Sequence, residues 1–244
     1  MRQNKTSICY DLIQSLTAKE YKENQLPQKS ELQNNTISKK TLWNQFLRSF
    51  KMIHRKELII NETVIQNLKP LFYYFLKDSN FFECENLRND ISKPSFDKGL
   101  LIIGGYGLGK TDYFKVFEAV FKNIPSFRFK CYNSKELITC YESCVTPMDK
   151  KEFFEEKNRK LLFIDDISSE RVASNYGLID VTGEILAERY ANNLRTFASC
   201  NYSNVNQCAE ETLEALGLRY GDRIFDRLFE MFNIIEFKGK SFRI

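Results

Sequence analysis

The chain has 244 residues, of which 43% are hydrophobic and 28% are charged, and its formal net charge is +4. This composition is that of a globular protein, and it excludes the collagen-like and intrinsically disordered classes. The mild positive charge permits contact with nucleic acid without arguing for it. No apolar leader core and no apolar run of about 18 residues occurs. We therefore expect no membrane span and a cytoplasmic location.

The first 60 residues are predicted to form a separate N-terminal segment. Residues 8–22 have the spacing of a short amphipathic helix, and 41–53 have the spacing of a second helix. Between them, 23–40 is rich in Gln, Asn, Ser and Lys, a composition typical of a linker or mobile arm. We place the domain boundary at residue 60 and assign 61–244 to one domain.

In the second part of the chain, short apolar runs alternate with segments of helical spacing. Asn61 is predicted to cap a helix over 62–77, which Pro70 kinks or splits. We predict strands at 99–103, 127–132, 161–164, 196–199 and 234–237, and helices at 110–122, 135–144, 151–157, 182–193, 210–216 and 222–232, with a loop at 147–150. The repeated strand–helix alternation indicates an α/β fold with a parallel sheet and helices on both faces.

A complete phosphate-binding loop follows the first apolar strand and matches the pattern G-x-x-x-x-G-K-[ST]. The candidates for nucleotide binding are this loop and the residue after it: Gly104, Gly105, Tyr106, Gly107, Leu108, Gly109, Lys110, Thr111 and Asp112. Glycines let backbone N–H groups turn toward phosphates, and the next helix presents its positive end to the same anion. Lys110 is expected to reach the β- and γ-phosphates of ATP, and the Thr111 hydroxyl to bind Mg²⁺. The strand before and the helix after argue against a chance glycine turn.

An acidic pair, Asp165 and Asp166, ends the apolar run 161–164. In open α/β sheets, ligands bind at the carboxyl ends of the strands. We expect Asp165 to hold Mg²⁺ and Asp166 to orient or deprotonate the attacking water. Taken alone, such a pair is more often a solvated strand end, but the phosphate-binding loop favours the magnesium interpretation.

Three further polar residues are candidates for contacts with the nucleotide. Asn201 follows the strand 196–199, where it either binds the γ-phosphate or the lytic water or simply forms a turn. Arg223 and Arg227 lie four residues apart on one helical face. They either pair with surface acids or reach a phosphate across a subunit boundary. Arg243 either acts on bound nucleotide or is a solvated charge.

Taken in order, these patterns resemble the DnaC/IstB-type proteins, which are bacterial replicative helicase loaders and transposition helper ATPases of the AAA+ class. The resemblance covers residues 99–243, and its most specific part is G-D-R-x-x-D-R-L at 221–228 followed by S-x-R at 241–243. It implies an AAA+-like P-loop NTPase fold with a helical N-terminal segment. It also implies that Lys110, Thr111 and Asp165 are the Walker residues.

The same resemblance implies that Asn201 is the first sensor, Arg243 the second sensor and Arg227 an arginine finger donated to a neighbouring subunit. The family usually has Glu where this chain has Asp166, and the shorter side chain predicts slow basal ATP hydrolysis. ATP and Mg²⁺ are the implied ligands. The implied partners are single-stranded DNA, other copies of the chain, and a replicative helicase or a recombinase. The resemblance also implies that residues 1–60 bind the protein partner.

Three other functions stay open at this point: a mobile-element transposition ATPase of the same fold, a small-molecule P-loop kinase, and a nucleotide-gated binding module with negligible turnover. A kinase is expected to carry its arginines in a mobile lid and to act without oligomerising. Arg227, followed by the S-x-R at 241–243, argues against the kinase.

The cysteines and the histidine predict no zinc site. The chain has seven cysteines, none of which forms a C-x-x-C pair, and one histidine, His54, that is distant from them in sequence. Structural zinc sites need two spaced pairs of ligands. We expect reduced thiols in a reducing compartment.

Overall fold

The computed structural model describes residues 37–242. The helix predicted over 8–22, the linker as far as residue 36, and Arg243 lie outside the described residues. The helices are α1 (Lys39–His54), α2 (Glu62–Leu76), α3 (Lys110–Phe121), α4 (Ser134–Glu142), α5 (Pro147–Lys157), α6 (Val181–Ala191), α7 (Ala209–Tyr220) and α8 (Asp222–Met231), with a 3-10 helix at Ser79–Glu83. The strands are β1 (Gly99–Gly104), β2 (Phe129–Asn133), β3 (Leu161–Asp165), β4 (Ala173–Ser174), β5 (Leu178–Ile179), β6 (Thr196–Cys200) and β7 (Phe232–Phe237).

The first two helices begin at side-chain caps. Ser38 caps α1, and Asn61 caps α2 as predicted, because its Oδ1 accepts a hydrogen bond from the Val64 backbone N–H at 2.9 Å. Helix α2 is unbroken across Pro70, so the predicted split does not occur. Within residues 37–242, no helix combines the length and the apolar character needed to cross a bilayer.

The main sheet has five parallel strands in the order β2-β3-β6-β1-β7, which confirms the predicted α/β class. β1 lies between β6 and β7: Ile103 pairs with Cys200 on one side and with Glu236 on the other. Because the strands are parallel, the segments that follow β1, β3 and β6 leave the sheet at the same edge. The phosphate-binding loop, the acidic pair and Asn201 are on these segments.

Two local predictions were wrong or incomplete. Residues 147–150 are helical rather than a loop, because α5 begins at Pro147, where a missing backbone N–H costs nothing. Thr146 and Asp149 form a capping box, with Asp149 N donating to Thr146 Oγ1 at 3.1 Å and Thr146 N donating to Asp149 Oδ2 at 2.8 Å. The antiparallel hairpin β4–β5 was not predicted.

Side chains alternate between the two faces of β1 and so belong to two hydrophobic clusters. On one face, α1, α2 and α3 pack through aromatic rings: the Phe46 ring centroid lies 4.9 Å from that of Phe117 and 5.2 Å from that of Phe72. Phe114 of α3 stacks on Phe163 of β3 at 4.1 Å. Helix α1 therefore packs into the domain core, N-terminal to the predicted boundary. The partner-binding role of residues 1–60 stays a prediction.

Candidate nucleotide-binding site

A cavity of about 660 Å³ opens where β1, β3 and β6 end. Its polar wall is formed by the phosphate-binding loop, the acidic pair and the end of β6, including Lys110, Thr111, Asp165, Asp166, Ser199 and Asn201. Its apolar wall is formed by α1, α2 and the segment between them: Phe50, Leu58, Ile59 and Val64. A polar wall for phosphates and an apolar wall for a base are the two parts that a nucleotide site requires.

The phosphate-binding loop depends on two glycines with left-handed backbone conformation. Gly107 has φ of 74° and Gly109 has φ of 82°. A Cβ at Gly109 would lie 2.7 Å from the Tyr113 ring, and a Cβ at Gly107 would overlap the Ser241 hydroxyl. Gly109 is also the N-cap of α3 and has no capping side chain, so the first backbone N–H groups of the helix are left for an anion.

The Lys110 ammonium is held at the base of this loop. Its Nζ donates to the carbonyl oxygens of Gly104 at 2.6 Å and Gly105 at 2.8 Å, and to Asn201 Oδ1 at 2.9 Å. The side chain is 7% exposed. A buried ammonium fixed beside the cavity is suited to binding phosphate oxygens.

Thr111 and Asp165 meet on the cavity wall. The Thr111 hydroxyl lies 2.9 and 3.0 Å from the two carboxylate oxygens of Asp165, to which it donates. Ser199 Oγ donates to Asp165 Oδ1 at 2.6 Å. Mg²⁺ in nucleotide sites takes one or two protein oxygens together with phosphates and waters. The hydroxyl of Thr111 and the carboxylate of Asp165 fit that requirement.

Asp166 follows with an unusual backbone conformation. Its φ is 59°, a left-handed value that few residues other than glycine adopt, although Asp tolerates it better than most. Its backbone N–H donates to Ser199 Oγ at 3.1 Å, and its carbonyl accepts from Ser134 Oγ at 2.8 Å and Ser169 Oγ at 2.7 Å. Its carboxylate accepts from Asn201 Nδ2 at 2.5 Å. The carboxylate is thereby fixed at the cavity, next to the amide that also binds Lys110.

Two thiols near the cavity are chemically quiet. Burial raises the pKa of the Cys200 thiol to about 12 and raises that of Cys131 strongly. Both thiols are protonated at neutral pH, so neither is a nucleophile or a ready metal ligand there.

A scan against protein-family models found no match, and neither did a search of the curated proteins. Among solved structures, the chain is similar to the crystal structure of the DnaC helicase loader, with a TM-score of 0.52 and 21% sequence identity over 82% of this chain and 99% of that chain. The fold is that of the DnaC helicase loader structure. The crystal structure of DnaI matches with a TM-score of 0.48 and 22% identity over 80% of this chain and 94% of that chain. The similarity to DnaC shows the fold alone, and the residues around the cavity determine which reaction the site could catalyse.

Within this fold, Arg227 lies away from the cavity and Arg243 lies beyond the described residues. Arg227 does not line the cavity; its guanidinium carbon lies 4.5 Å from the ring centroid of Tyr190. Arg243 lies outside the described residues, but Phe242 before it lines the cavity and donates its backbone N–H to the Gly107 carbonyl at 3.0 Å. The sensor and finger roles stay predictions.

Asp112, the last candidate from the phosphate-binding loop, lies on the rim of the candidate site. It lines the cavity, and its Oδ1 is 3.9 Å from Nε2 of His54 at the end of α1. Its half-exposed carboxylate is on the first turn of α3, where a negative charge interacts favourably with the helix dipole. Its role in nucleotide binding stays a prediction.

Sequence reasoning missed two groups of site residues. Ser199 and Ser134 form hydrogen bonds that fix the acidic pair. A single serine does not form a recognisable sequence motif. The sequence indicated Ser199 only by its position two residues before Asn201. The apolar wall contributed by α1 and α2 was assigned instead to packing or to the N-terminal segment. These contacts join residues far apart in sequence, so they follow from the tertiary structure alone.

Proposed function

We propose that this chain binds ATP together with Mg²⁺ and hydrolyses it slowly. One observation carries the proposal above all. Lys110, Thr111, Asp165 and Asn201 meet around one cavity, although Lys110 and Asn201 are 91 residues apart in sequence and still form a direct hydrogen bond. The glycine loop and the unobstructed start of α3 complete a phosphate cradle on the same wall.

Each residue of the polar wall has a separate task in the proposed reaction. Lys110 binds the β- and γ-phosphate oxygens, and Asn201 positions the γ-phosphate or the attacking water. Asp166 accepts the proton of that water or orients it. Thr111 and Asp165 would hold Mg²⁺, which when bound neutralises charge on the phosphate oxygens.

Replacement of Lys110 tests nucleotide binding directly. Lys110→Ala removes charge-assisted contacts worth about 1.5–3 kcal/mol, which corresponds to a loss of roughly 10- to 150-fold in ATP affinity. Isothermal titration calorimetry with ATP and Mg²⁺ measures it. Lys122→Ala, at the other end of α3 and exposed, is the matched control and should bind as the unaltered chain does. An unchanged affinity in Lys110→Ala contradicts the assignment of the site.

We propose further that the chain does the work of a helicase loader, assembling on single-stranded DNA to load or remodel a replicative helicase. The AAA+ fold shared with the DnaC helicase loader supports this proposal. Arg227 supports self-association, because it lies outside its own cavity and no arginine among the described residues lines that cavity.

The hairpin β4–β5 is the surface that we propose for DNA. Tyr176 at its turn is 93% exposed. The Lys150 ammonium lies 5.4 Å from the ring centroids of both Tyr176 and Tyr141 and donates to the Asn175 carbonyl at 3.0 Å. An exposed aromatic ring beside a cation suits a single-stranded nucleic acid, whose bases stack on the ring while the phosphates meet the charge.

Identification of the protein partner separates helicase loading from transposition. The full-length chain, with ATP and Mg²⁺, is used to capture proteins from cells that express it. Enrichment of a replicative helicase supports the loader proposal, and the purified helicase should then bind the chain directly. Enrichment of a recombinase with no helicase contradicts the loader proposal and supports the transposition alternative.

A further inference from the structure

The loop after the acidic pair is joined to the end of α7 by two hydrogen bonds of the Tyr220 side chain. The Tyr220 hydroxyl accepts a hydrogen bond from the Ser168 backbone N–H at 2.8 Å and donates one to Glu170 Oε1 at 2.6 Å. Burial and the neighbouring Glu170 raise the pKa of Tyr220 well above its ordinary value, so the hydroxyl keeps its proton. Both hydrogen bonds are therefore directional and persist at neutral pH.

The same loop has a strained backbone. Asp166 and Ser168 both have left-handed conformations, with φ of 59° and 72°. Non-glycine residues persist in such conformations only where surrounding contacts hold them. The contacts here come from Ser199 and Ser134 at Asp166 and from Tyr220 at Ser168. A change in the hydrogen-bond partners of the Asp166 carboxylate is therefore expected to shift residues 166–168, and Ser168 at the end of this segment is hydrogen-bonded to Tyr220.

On its other side, Tyr220 borders the joint between α7 and α8. Gly221, with φ of 89°, separates the two helices, and its backbone N–H donates to the Gly217 carbonyl at 2.7 Å. Left-handed glycines at such joints allow a change of direction at low cost. The helix that begins after Gly221 carries Arg227 as its sixth residue.

The charged residue before Tyr220 connects the joint to a third helix. Arg219 Nη1 donates to Asp180 Oδ2 at 2.7 Å, and its Nη2 lies 3.7 Å from Glu170 Oε1, beyond hydrogen-bond length. Asp180 is the N-cap of α6, and α6 carries Tyr190, whose ring faces the Arg227 guanidinium. The loop, helix α6 with Tyr190 and helix α8 with Arg227 are thus all connected to residues 219–221.

We propose that Tyr220 is a positioning residue that couples the nucleotide state at Asp166 to the orientation of α8 and its Arg227. The inference rests on the proposed ATP site and concerns how nucleotide binding at that site changes the orientation of α8. ATP at the cavity would draw Lys110 and Asn201 toward phosphate and so alter the partners of Asp166. Tyr220 transmits the resulting shift of the loop to the joint at Gly221.

Hydrogen–deuterium exchange followed by mass spectrometry tests this coupling. The full chain is compared with Tyr220→Phe, which keeps the ring and removes the hydroxyl, and with Glu170→Gln, which weakens the acceptor. Each is measured with and without a non-hydrolysable ATP analogue and Mg²⁺, at a concentration low enough to keep the chain monomeric. Tyr74→Phe is the control, because it removes a buried tyrosine hydrogen bond to the Lys98 carbonyl, which involves neither the loop nor residues 219–221.

In the unaltered chain and in Tyr74→Phe, nucleotide should change the exchange of the amides at 222–231. In Tyr220→Phe that change should be lost, and in Glu170→Gln it should be reduced, while the analogue still binds and the core strands keep their protection. A wild-type chain that binds the analogue without any response in α8 overturns the inference and leaves the ATP site intact. An identical response in Tyr220→Phe also overturns it. Failure of the analogue to bind any variant overturns the ATP site itself.

Discussion

Asp166, the proposed catalytic carboxylate, is one methylene group shorter than Glu. Its side chain is shorter than the Glu of the family that the sequence resembles, and Asn201 holds it at 2.5 Å. A general base has to come within hydrogen-bond distance of the water that it deprotonates. With the backbone fixed by Ser199 and Ser134, the carboxylate has little freedom to approach further.

Replacement of Asp166 should therefore change turnover in both directions. Asp166→Asn removes the base and should lower the rate of ATP hydrolysis by about 10²–10⁴-fold. Asp166→Glu restores the missing length and should hold or raise the rate. Steady-state phosphate release at saturating ATP and Mg²⁺ measures both. Hydrolysis by Asp166→Asn at the wild-type rate would show that this residue has no catalytic role.

Ser199 is a second residue that is expected to affect hydrolysis, because its hydroxyl contacts both members of the acidic pair. Its buried hydroxyl donates to Asp165 and accepts from the Asp166 backbone N–H. Ser199→Ala should raise the Mg²⁺ concentration needed for half-maximal hydrolysis by about 10- to 100-fold, as loss of a group that orients a metal ligand does. A Mg²⁺ titration of ATPase activity measures it. Ser143→Ala, which removes an exposed hydroxyl at the end of α4, should leave the titration unchanged.

At the scale of elements, the elements that could be predicted from the sequence are those whose residue pattern is contiguous in the chain. Strands β1 and β3 are buried on both faces and therefore appear as continuous apolar runs. The hairpin β4–β5 has two-residue strands with an exposed Leu178, so it leaves no alternation to recognise. The phosphate-binding loop was recognisable because its chemistry is contiguous in sequence. The contacts of Tyr220 were not, because each one joins distant segments.

Helix α1 should contribute to the stability of the whole domain. Phe46 is fully buried against Phe72 and Phe117, so Phe46→Ala should lower the free energy of unfolding by about 3–5 kcal/mol. Met52→Ala on the same helix removes a side chain that is 78% exposed and should cost less than about 0.5 kcal/mol. Urea denaturation measures both. Equally small losses would mean that α1 unfolds independently of the sheet.

The hairpin β4–β5 should govern affinity for single-stranded DNA. Tyr176→Ala removes a stacking surface worth about 1–3 kcal/mol per base, a loss of roughly 5- to 150-fold in affinity. Tyr176→Phe keeps the ring and should keep the affinity. Fluorescence anisotropy across a salt series, with ATP and then with ADP, measures binding. We expect tighter binding with ATP and a steep decline with salt, because phosphate contacts release counterions.

If Tyr176→Ala binds as well as the unaltered chain does, DNA contacts a different surface. No detectable binding by the unaltered chain at low salt with ATP would favour the kinase or the nucleotide-gated module. The formal net charge of +4 is small, so a local basic and aromatic surface has to supply the affinity.

At the scale of the whole molecule, no arginine among the described residues lines the cavity, and we predict that Arg227 of another chain supplies one. Lys110→Ala loses its own nucleotide but offers Arg227, and Arg227→Ala binds nucleotide but lacks the finger. A mixture of the two inactive variants should regain part of the ATPase activity, because an arginine finger contributes about 10³–10⁵ in rate. Phosphate release from the mixture, compared with each variant alone, measures the recovery.

Arg159→Ala is the control for this experiment, since it removes an exposed arginine that forms an ion pair with Glu155 on α5. It should be active without a complementing partner. A mixture of Lys110→Ala and Arg227→Ala that co-assembles and stays inactive would contradict action across a subunit boundary. It would remove the main support for the AAA+ mechanism over the kinase.

The strand order also has a consequence for how the protein is made. β1 delivers the phosphate-binding loop, and its Leu100 pairs with Phe197 of β6 and Asn233 of β7. Those neighbours are the last two of the five strands to leave the ribosome. A nascent chain interrupted before residue 196 therefore carries the whole loop sequence on a strand that has neither of its partners. The pattern that identifies the nucleotide site is translated long before the sheet that supports it.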